Sequence, residues 1–447
     1  MPGSLNSFWQ GAASGAGRAI SRAQNGLAGI AGGRLFRAST LSVLDQAVVS
    51  GTNFVTSVII GRTCGAWELG AYYLALTLVL FARGVQEQLV GAPYMIYCQR
   101  KQPEELESFA GSALIHQLVL SLVAMLVLGG LWMFRLVPRE LQPVIAVLIG
   151  GLPLLLLREF VREMAFAHLK PATALAVDTG VAVFQIGLLL TLGYLQLLSV
   201  PLAFIVIAGT SGVAALSWFL LKGRRLVGTW AAAWSDWWKN WSFSRWALAG
   251  QMLGQTTAYI MPWALAAAHG EAATGIFGAC NTLVGLANMF VMGLSNFLSP
   301  RTAQAFAHGG LPELKRVLRQ IIGLFVVTLG AFAAVSFIAG EWIATLLYGS
   351  TLNGSGMIIG LLALGLVANS ISMACGNGLW AMERPAANFA ADICVMAAVI
   401  VGSLLLIPTF GALGAAGATL FAHSTAATVR ALTLLRVMRE VAAAEVV

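Results

Sequence analysis

Apolar stretches of about 20 residues recur along most of the chain, and they constrain its fold more than any other feature. A helix of that length, rising 1.5 Å per residue, crosses a hydrocarbon core of about 30 Å. The stretches are continuously apolar, whereas barrel strands alternate apolar and polar residues. Charged residues make up 10% of the chain, too few to cover the surface of a soluble protein. The sequence therefore predicts an all-α polytopic membrane protein.

Twelve transmembrane spans are predicted from these stretches. They cover residues 39–60, 69–90, 109–133, 141–161, 172–195, 198–221, 245–268, 274–297, 318–339, 354–377, 386–407 and 411–434.

The distribution of basic residues supports this topology. With both termini in the cytoplasm, 22 of the 26 Lys and Arg fall in cytoplasmic segments, as the positive-inside rule requires. Three lie in outer loops, and Arg83 alone is counted within a span, since arginines near the inner ends of spans, such as Arg158 and Arg430, are counted with the cytoplasmic segments. The net charge of +8 then faces an anionic inner leaflet, so nucleic acid is not an expected partner. We expect a multi-pass protein of the cell inner membrane.

The longest predicted inner loop divides the chain into two halves. The predicted units are a cytoplasmic arm, a six-helix bundle, a cytoplasmic linker, a second six-helix bundle and a cytoplasmic tail, at residues 1–37, 38–221, 222–244, 245–436 and 437–447. Five linker tryptophans share one helical face, namely Trp230, Trp234, Trp237, Trp238 and Trp241. This pattern predicts an interfacial helix beneath the membrane, and packing of the face on protein is the alternative.

The two halves carry an internal repeat. Residues 170–178 (KPATALAVD) open the fifth span and residues 384–392 (RPAANFAAD) open the eleventh, with cation, proline and aspartate at identical spacing. A weaker match relates residues 69–72 to residues 274–277. Because an even number of spans separates the copies, both halves cross the membrane in the same direction, which is the parallel type of repeat. Two such bundles leave a central cavity whose access can alternate by rocking, so transport is predicted rather than a structural role.

Several short stretches resemble one transporter family. They are residues 68–75 (ELGAYYLA), 158–162 (REFVR), 275–279 (GIFGA), 296–301 (NFLSPR), 347–349 (LYG) and 411–418 (GALGAAGA). Together they resemble the polysaccharide-exporter branch, the O-antigen-type flippases, of the multidrug/oligosaccharidyl-lipid/polysaccharide (MOP) exporter superfamily.

This resemblance implies a V-shaped pair of six-helix bundles, together with a function and a set of partners. The expected function is alternating-access transfer of a polyprenyl-diphosphate-linked oligosaccharide from the inner to the outer leaflet, for cell-surface polysaccharide synthesis. Expected partners are this substrate, membrane lipids and polysaccharide-assembly enzymes, with a monomer sufficing for transport. No cofactor is expected apart from a coupling H⁺ or Na⁺. The family's lipid II flippases typically have fourteen spans, so twelve spans argue against lipid II.

Arg83 is the leading candidate for binding the diphosphate. Intramembrane ionisable residues are costly and mark functional sites by default, and a guanidinium donates two hydrogen bonds to phosphate. Asp45 lies at a similar predicted depth in the first span, and Glu87 follows Arg83 by one helical turn. Two interpretations remain open: a structural Asp45–Arg83–Glu87 cluster, or a site or gate where phosphate replaces the carboxylates.

Further candidates have lesser roles. Asp178 and Asp392, at equal predicted depth, join Asp45 and Glu87 as candidates for ion coupling or gating. Arg158 and Arg162 are candidate substrate ligands at the cytoplasmic mouth, or topogenic charges that pair with Glu159 and Glu163. Polar candidates for a cavity wall are Gln46, Asn53, Gln251, Gln255, Asn281 and Asn288. His116 and His423 are expected to be core histidines.

Two other functions are weighed against the flippase. A cation-coupled multidrug exporter of the same superfamily is the alternative, although Arg83 favours an anionic substrate. An enzyme of the outer face is disfavoured, because the longest predicted outer loop has about 13 residues, an ordinary connection, and no nucleotide-binding or nucleophile–base motif is present. The five cysteines are scattered singly, so neither a zinc site nor a disulfide framework is predicted.

Overall fold

The computed structural model describes residues 40–222 and 228–444, and no strand occurs within these ranges. The predicted cytoplasmic arm, residues 1–37, lies outside them. The first half consists of α1 (Thr40–Thr63), α2 (Gly65–Gln86), a π-helical turn (Glu87–Gly91), α3 (Ala92–Tyr97), α4 (Pro103–Met133), α5 (Gln142–Ala167), α6 (Pro171–Tyr194) and α7 (Val200–Lys222). Because α2 runs through the π-helical turn into α3, these elements form six spans.

Three glycines divide the helices of the second half. α8 (Trp230–Tyr348) breaks at Gly270 (φ 79°) and Gly310 (φ 57°), which gives segments α8a, α8b and α8c at 230–269, 271–309 and 311–348. After α9 (Gly356–Ala381), α10 (Pro385–Ala444) breaks at Gly411 (φ 56°) into α10a (385–410) and α10b (412–444). Positive φ is accessible to glycine at no steric cost, so each glycine allows the chain to reverse without a loop.

Ten helical stretches of the described residues are long and apolar enough to cross a membrane. Two of them, Ala258–Met292 and Ala387–Ala443, contain a break at Gly270 or Gly411, so each provides two spans. The total of twelve agrees with the predicted number. The prediction was wrong at the end of the fourth span, because α5 continues to Ala167, six residues beyond the predicted boundary at 161.

The repeat appears as two equivalent helix starts. α6 begins at Pro171 and α10 begins at Pro385, each with proline in the first turn, where its missing N–H removes no helical hydrogen bond. The first six spans pack into one bundle and the last six into the other, with α9 in contact with both α8 and α10.

The two bundles meet where α2 crosses α8b. A Cβ at Gly70 would lie 1.8 Å from the carbonyl oxygen of Glu271, and one at Gly275 would lie 2.2 Å from that of Ala66. The contact is symmetric, because Ala66 and Gly70 are spaced as Glu271 and Gly275 are. Gly70 and Gly275 belong to the weaker sequence match noted above, and Ala66 and Glu271 lie one turn before it, so equivalent helix starts of the two halves contact each other.

Polar contacts reinforce this junction. Tyr73 and Thr282 share a hydrogen bond of 2.6 Å, Ser57 and Tyr348 one of 2.7 Å, and Arg62 donates to the carbonyl of Leu346 at 2.7 Å. All of these residues lie in the halves of their spans that the topology places toward the outer face. The bundles are therefore joined on that side.

The tryptophan-rich segment is helical and packs on α4. His116 Nε2 lies 2.8 Å from the carbonyl oxygen of Ala233, and the ring of Trp237 meets the His116 ring edge-on at 5.5 Å. Trp237 also stacks on Trp241, whereas Trp230, Trp234 and Trp238 are exposed. Part of the tryptophan face thus packs on protein, and the interfacial position of the exposed tryptophans stays a prediction. His116 is a core histidine as expected, and His423 likewise contacts a backbone carbonyl, that of Gly365.

Candidate functional site

Four helices of the N-terminal bundle bring six charged side chains together. Three arginines and three acids form one continuous ion-pair network, and they come from α1 (Asp45), α2 (Arg83), α5 (Arg158, Glu159, Arg162) and α6 (Asp178). The charges of this network balance. Burial of ionised groups in a low-dielectric interior is tolerated when each charge has a partner of opposite sign.

Arg162 is at the centre of the network. Its Nη2 lies 2.7 Å from Asp45, its Nη1 lies 2.7 Å from Glu159, and its Nε lies 2.5 Å from Asp178. The guanidinium thus touches acids from three helices while only 8% of its side chain is exposed. Arg158 adds two hydrogen bonds to Asp178, of 2.6 and 3.0 Å.

Arg83 lies at the open edge of the network. Its Nη2 pairs with Glu159 at 2.9 Å, and 31% of its side chain is exposed, the largest fraction among the three arginines. Its Nε is buried and has no hydrogen-bond acceptor among residues 40–222 and 228–444. Arg83 therefore keeps donor capacity for a further anion.

A polar cavity of about 380 Å³ lies between the bundles next to Arg83. The N-terminal bundle supplies Gln46, Leu80, Arg83, Gly84, Glu87, Met95, Glu159, Arg162, Glu163 and Phe166, and α8a supplies Gln255 and Tyr259. Apart from Leu80 and Tyr259, which lie near the middle of their predicted spans, these residues lie in the halves that the predicted topology places toward the cytoplasm, opposite the junction of the bundles. With that predicted topology, the cavity faces the cytoplasm and the bundles are closed toward the outside.

The structure corrects the predicted pairing around Arg83. Asp45 pairs with Arg162 rather than Arg83, and Arg83 pairs with Glu159. Glu87 is exposed in the cavity wall and forms no ion pair among the described residues. The predicted pairs do not form because residues at equal depth on neighbouring helices face each other only if both helices are rotated suitably about their axes.

The sequence predicted that Arg83 is the sole cation within a span, but other arginines also lie within helical stretches of membrane length. Arg158 and Arg162 lie inside the membrane-length stretch Arg139–Ala167, and Arg430 lies inside Ala387–Ala443. Arg162 lies one residue beyond the predicted end of the fourth span at 161, whereas Arg158 and Arg430 lie near the inner ends of predicted spans and were counted with the cytoplasmic segments. The suggested pairing of Arg158 and Arg162 with neighbouring acids holds for Arg162 with Glu159, whereas neither arginine pairs with Glu163.

The other predicted residues occupy different places. Gln46 and Gln255 line the cavity, and Asn53 lines a smaller one of about 60 Å³ together with Arg83 and Arg158. Gln251, on α8a, and Asn281 and Asn288, on α8b, are not among the cavity-lining residues. Sequence reasoning did not identify Tyr259 or Glu163 as cavity residues. The run of alternating charges at residues 158–163 was the available signal for Glu163.

The two repeated aspartates differ in their surroundings. Asp178 has a fully buried side chain between Arg158 and Arg162, both on α5. Asp392 pairs with Arg430 of α10b and its side chain is 46% exposed. The repeat therefore places an aspartate at the same helical position twice, while only the N-terminal copy joins the network at the cavity.

This difference predicts that replacing aspartate by asparagine lowers the stability of the protein more at position 178 than at position 392. Asp178→Asn is expected to cost about 1.5–3 kcal/mol of stability, because buried hydrogen bonds to charged groups are lost. Asp392→Asn is expected to cost less than about 1 kcal/mol, the range of partly exposed pairs. Thermal unfolding of both variants in detergent measures the difference, and equal melting temperatures would contradict it.

Comparison with known proteins gives a family match and a fold. Residues 247–408 match the MatE family model. No curated protein matches the chain in sequence. An inward-facing structure of a multidrug resistance MATE family transporter of the MOP superfamily is 12% identical, with 89% of this chain and 98% of that chain covered and a TM-score of 0.72.

Two further structures extend the comparison. The lipid II flippase MurJ in an inward closed conformation is 13% identical and has a TM-score of 0.72, with 90% of this chain and 87% of that chain covered. An outward-facing MATE family transporter is 13% identical and has a TM-score of 0.61, over 91% and 96% of the two chains. At these identities the likeness shows the fold.

These findings confirm the predicted fold class of about twelve transmembrane helices in two six-helix bundles. The MatE match and the fold support the MOP superfamily and a multi-pass membrane protein. They do not distinguish the branches of the superfamily, since both a MATE transporter and a lipid II flippase share the fold.

Proposed function

We propose that the chain is a flippase that transfers a polyprenyl-diphosphate-linked oligosaccharide from the inner to the outer leaflet by alternating access. The observation that carries this proposal is the pair of arginines in the cavity wall, with Arg83 partly exposed at its edge, a hydrogen-bond donor of Arg83 left without an acceptor, and Arg162 behind it. Guanidinium groups bind phosphate oxygens through paired, charge-assisted hydrogen bonds. The headgroup would cross between the bundles while the lipid tail stays in the bilayer.

The transfer requires no bond making, so the cavity has to replace the hydration of the headgroup. A diphosphate at Arg83 would exchange an arginine–carboxylate contact with Glu159 for an arginine–phosphate contact of similar chemistry. The free Nε of Arg83 adds a donor that no described residue uses. Gln46, Gln255 and Tyr259 supply neutral hydrogen-bonding groups around the same cavity, which suit sugar hydroxyls.

Deletion of the gene in its native host tests the proposal. We expect one polyprenyl-diphosphate-linked saccharide to accumulate, measured by mass spectrometry, together with loss of the corresponding surface polymer. Re-expression of the wild-type protein should reverse both effects. Unchanged lipid-linked intermediates in the deletion strain would refute the flippase function.

Arg83→Ala is predicted to weaken polyprenyl-diphosphate binding by about 10- to 100-fold, since hydrogen bonds to charged groups contribute about 1.5–3 kcal/mol. Purified protein titrated with undecaprenyl diphosphate gives the affinities. Arg316→Ala serves as the matched control, because Arg316 is 69% exposed and its ion pair within the described residues is with Glu313 on its own helix. Equal affinities of the two variants would contradict a phosphate role for Arg83.

A multidrug exporter is the second candidate, and one observation favours it. Glu87 and Glu163 line the cavity without an ion-pair partner among the described residues, and such acids suit a cationic drug. The MATE likeness of the fold agrees with this reading. New sensitivity of the deletion strain to cationic drugs, with normal lipid intermediates, would establish export of drugs instead.

A further inference from the structure

Glu163 is the one acid of α5 in this region that the ion-pair network leaves out. It follows Glu159 by one helical turn, lines the cavity between the bundles and is 7% exposed. Its Oε2 is buried and has no hydrogen-bond partner among residues 40–222 and 228–444. A buried carboxyl without a partner is unusual and calls for an explanation, because such groups are stable mainly when neutral.

The charges around Glu163 favour its neutral form. Arg83 and Arg162 face it, but both are already engaged by the carboxylates of Glu159, Asp45 and Asp178. Two acids also face it, Glu159 from its own helix and Glu87 from the turn after α2. The network is balanced with three positive and three negative charges, so an ionised Glu163 would add one uncompensated negative charge.

The backbone opposite Glu163 is shaped to accept the carboxyl. The π-helical turn Glu87–Gly91 widens the second span at this level, and π-helical turns occur frequently at functional sites. Gly91 faces Glu163 directly, since a Cβ at Gly91 would lie 2.5 Å from the Glu163 carboxyl carbon and 2.5 and 2.6 Å from its oxygens. Any larger residue at this position would displace the carboxyl.

We propose that Glu163 is a proton-binding site of the cavity, and that proton binding there and binding of the anionic headgroup favour each other. The proposal rests on the proposed function for the identity of the anion. An ionised Glu163 in the cavity wall repels a diphosphate held at Arg83, whereas the neutral carboxyl does not. By linkage, an anion at Arg83 also favours the protonated form of Glu163.

This assignment differs from the candidates that the sequence offered for ion coupling. Asp45 and Asp178 each contact an arginine within the network, and Asp392 pairs with Arg430 away from the cavity. Glu87 is exposed in the cavity wall, where it is open to solvation. Glu163 alone among the acids lining the cavity combines burial with the lack of an ion-pair partner in the described part of the chain.

The proton site is tested first without any substrate. Infrared difference spectra of the purified protein in lipid nanodiscs, recorded between mildly acidic and mildly alkaline buffer, report protonated carboxyl groups. We expect a protonated-carboxyl band that is absent in Glu163→Gln and retained in Glu87→Gln, the matched control. Gly91→Ala, which displaces the carboxyl, should shift this band, so the test stands even if Glu163→Gln fails to fold. A band unchanged in both Glu163→Gln and Gly91→Ala overturns the proposal.

The coupling to anion binding is tested with undecaprenyl diphosphate across the same pH range. Wild-type affinity should fall as pH rises by more than that of Glu163→Gln, whose affinity should stay near the acidic wild-type value. Equal pH dependence of the two proteins overturns the coupling. If neither protein binds undecaprenyl diphosphate, the proposed substrate fails, and the infrared result still decides whether Glu163 binds a proton.

Discussion

Replacement of Arg162 by alanine is expected to destabilise the protein by about 3–5 kcal/mol, the cost of removing one partner from a buried ion pair. Arg162 contacts Asp45, Glu159 and Asp178 at once. In the variant, Glu159 and Asp178 each keep one arginine partner, whereas Asp45 loses the ion-pair partner that it has among the described residues. Most other single substitutions cost about 0.5–3 kcal/mol. Thermal unfolding followed by size-exclusion chromatography in detergent gives the shift.

Two comparisons show whether the loss has an electrostatic cause. Arg436→Ala is the control for removal of an arginine, because Arg436 is 82% exposed and the ion pair it forms in the described part of the chain is with Glu440 on its own helix. Asp45→Asn added to Arg162→Ala should recover part of the lost stability, since it removes the carboxylate that the first change leaves unpaired. If the double variant is less stable than Arg162→Ala, lost packing rather than unpaired charge explains the effect.

The sequence predicted the fold well because each of its signals is local or additive. Span positions follow from continuous apolar runs, and the bias of Lys and Arg sets their order across the membrane. The helix break at Gly270 falls between two predicted spans, and the break at Gly411 coincides with the first residue of the predicted twelfth span. The boundary at residue 161 failed because a network of mutually compensating charges lets α5 continue through polar residues.

The sequence identified several of the charged residues of the candidate site, but it predicted the wrong ion-pair partners for Arg83 and Asp45. Depth along a helix can be counted from the sequence, which is why Asp45 and Arg83 were placed together. Rotation about the helix axis depends on packing between spans that are distant in sequence, and no local signal encodes it. For the same reason Glu163 could be recognised as a charged neighbour of Arg162 but not as a buried, unpartnered carboxyl facing Gly91.

The structure shows where the weakly matching segments of the two halves lie relative to each other. These two segments form the symmetric crossing at the outer side, where Gly70 and Gly275 allow backbone-to-backbone contact between α2 and α8b. Because each glycine meets a carbonyl oxygen of the other bundle, neither position has room for a side chain. The crossing therefore holds only while the outer ends of the bundles are together, and it opposes opening toward the outside.

Gly70→Ala is accordingly expected to shift the protein toward an outward-open state. The added Cβ would lie 1.8 Å from the Glu271 carbonyl oxygen, so the backbones must separate. Overpacking of this kind costs about 1–3 kcal/mol. This corresponds to a change of roughly 5- to 150-fold in the equilibrium constant between the closed and the outward-open state. Cys280, which is fully buried on α8b close to Tyr73, should become accessible in the same proportion.

The rate at which a membrane-impermeant maleimide labels Cys280 measures this shift, in a protein whose other four cysteines are replaced by serine. Gly285→Ala is the matched control, because Gly285 lies on the same segment and a Cβ there meets no atom within 4 Å. Faster labelling in Gly70→Ala and in Gly275→Ala, but not in Gly285→Ala, would show that the crossing closes the outer side. Equal labelling rates in all three variants would mean that the bundles separate elsewhere, and the symmetric contact would then be a packing feature with no role in access.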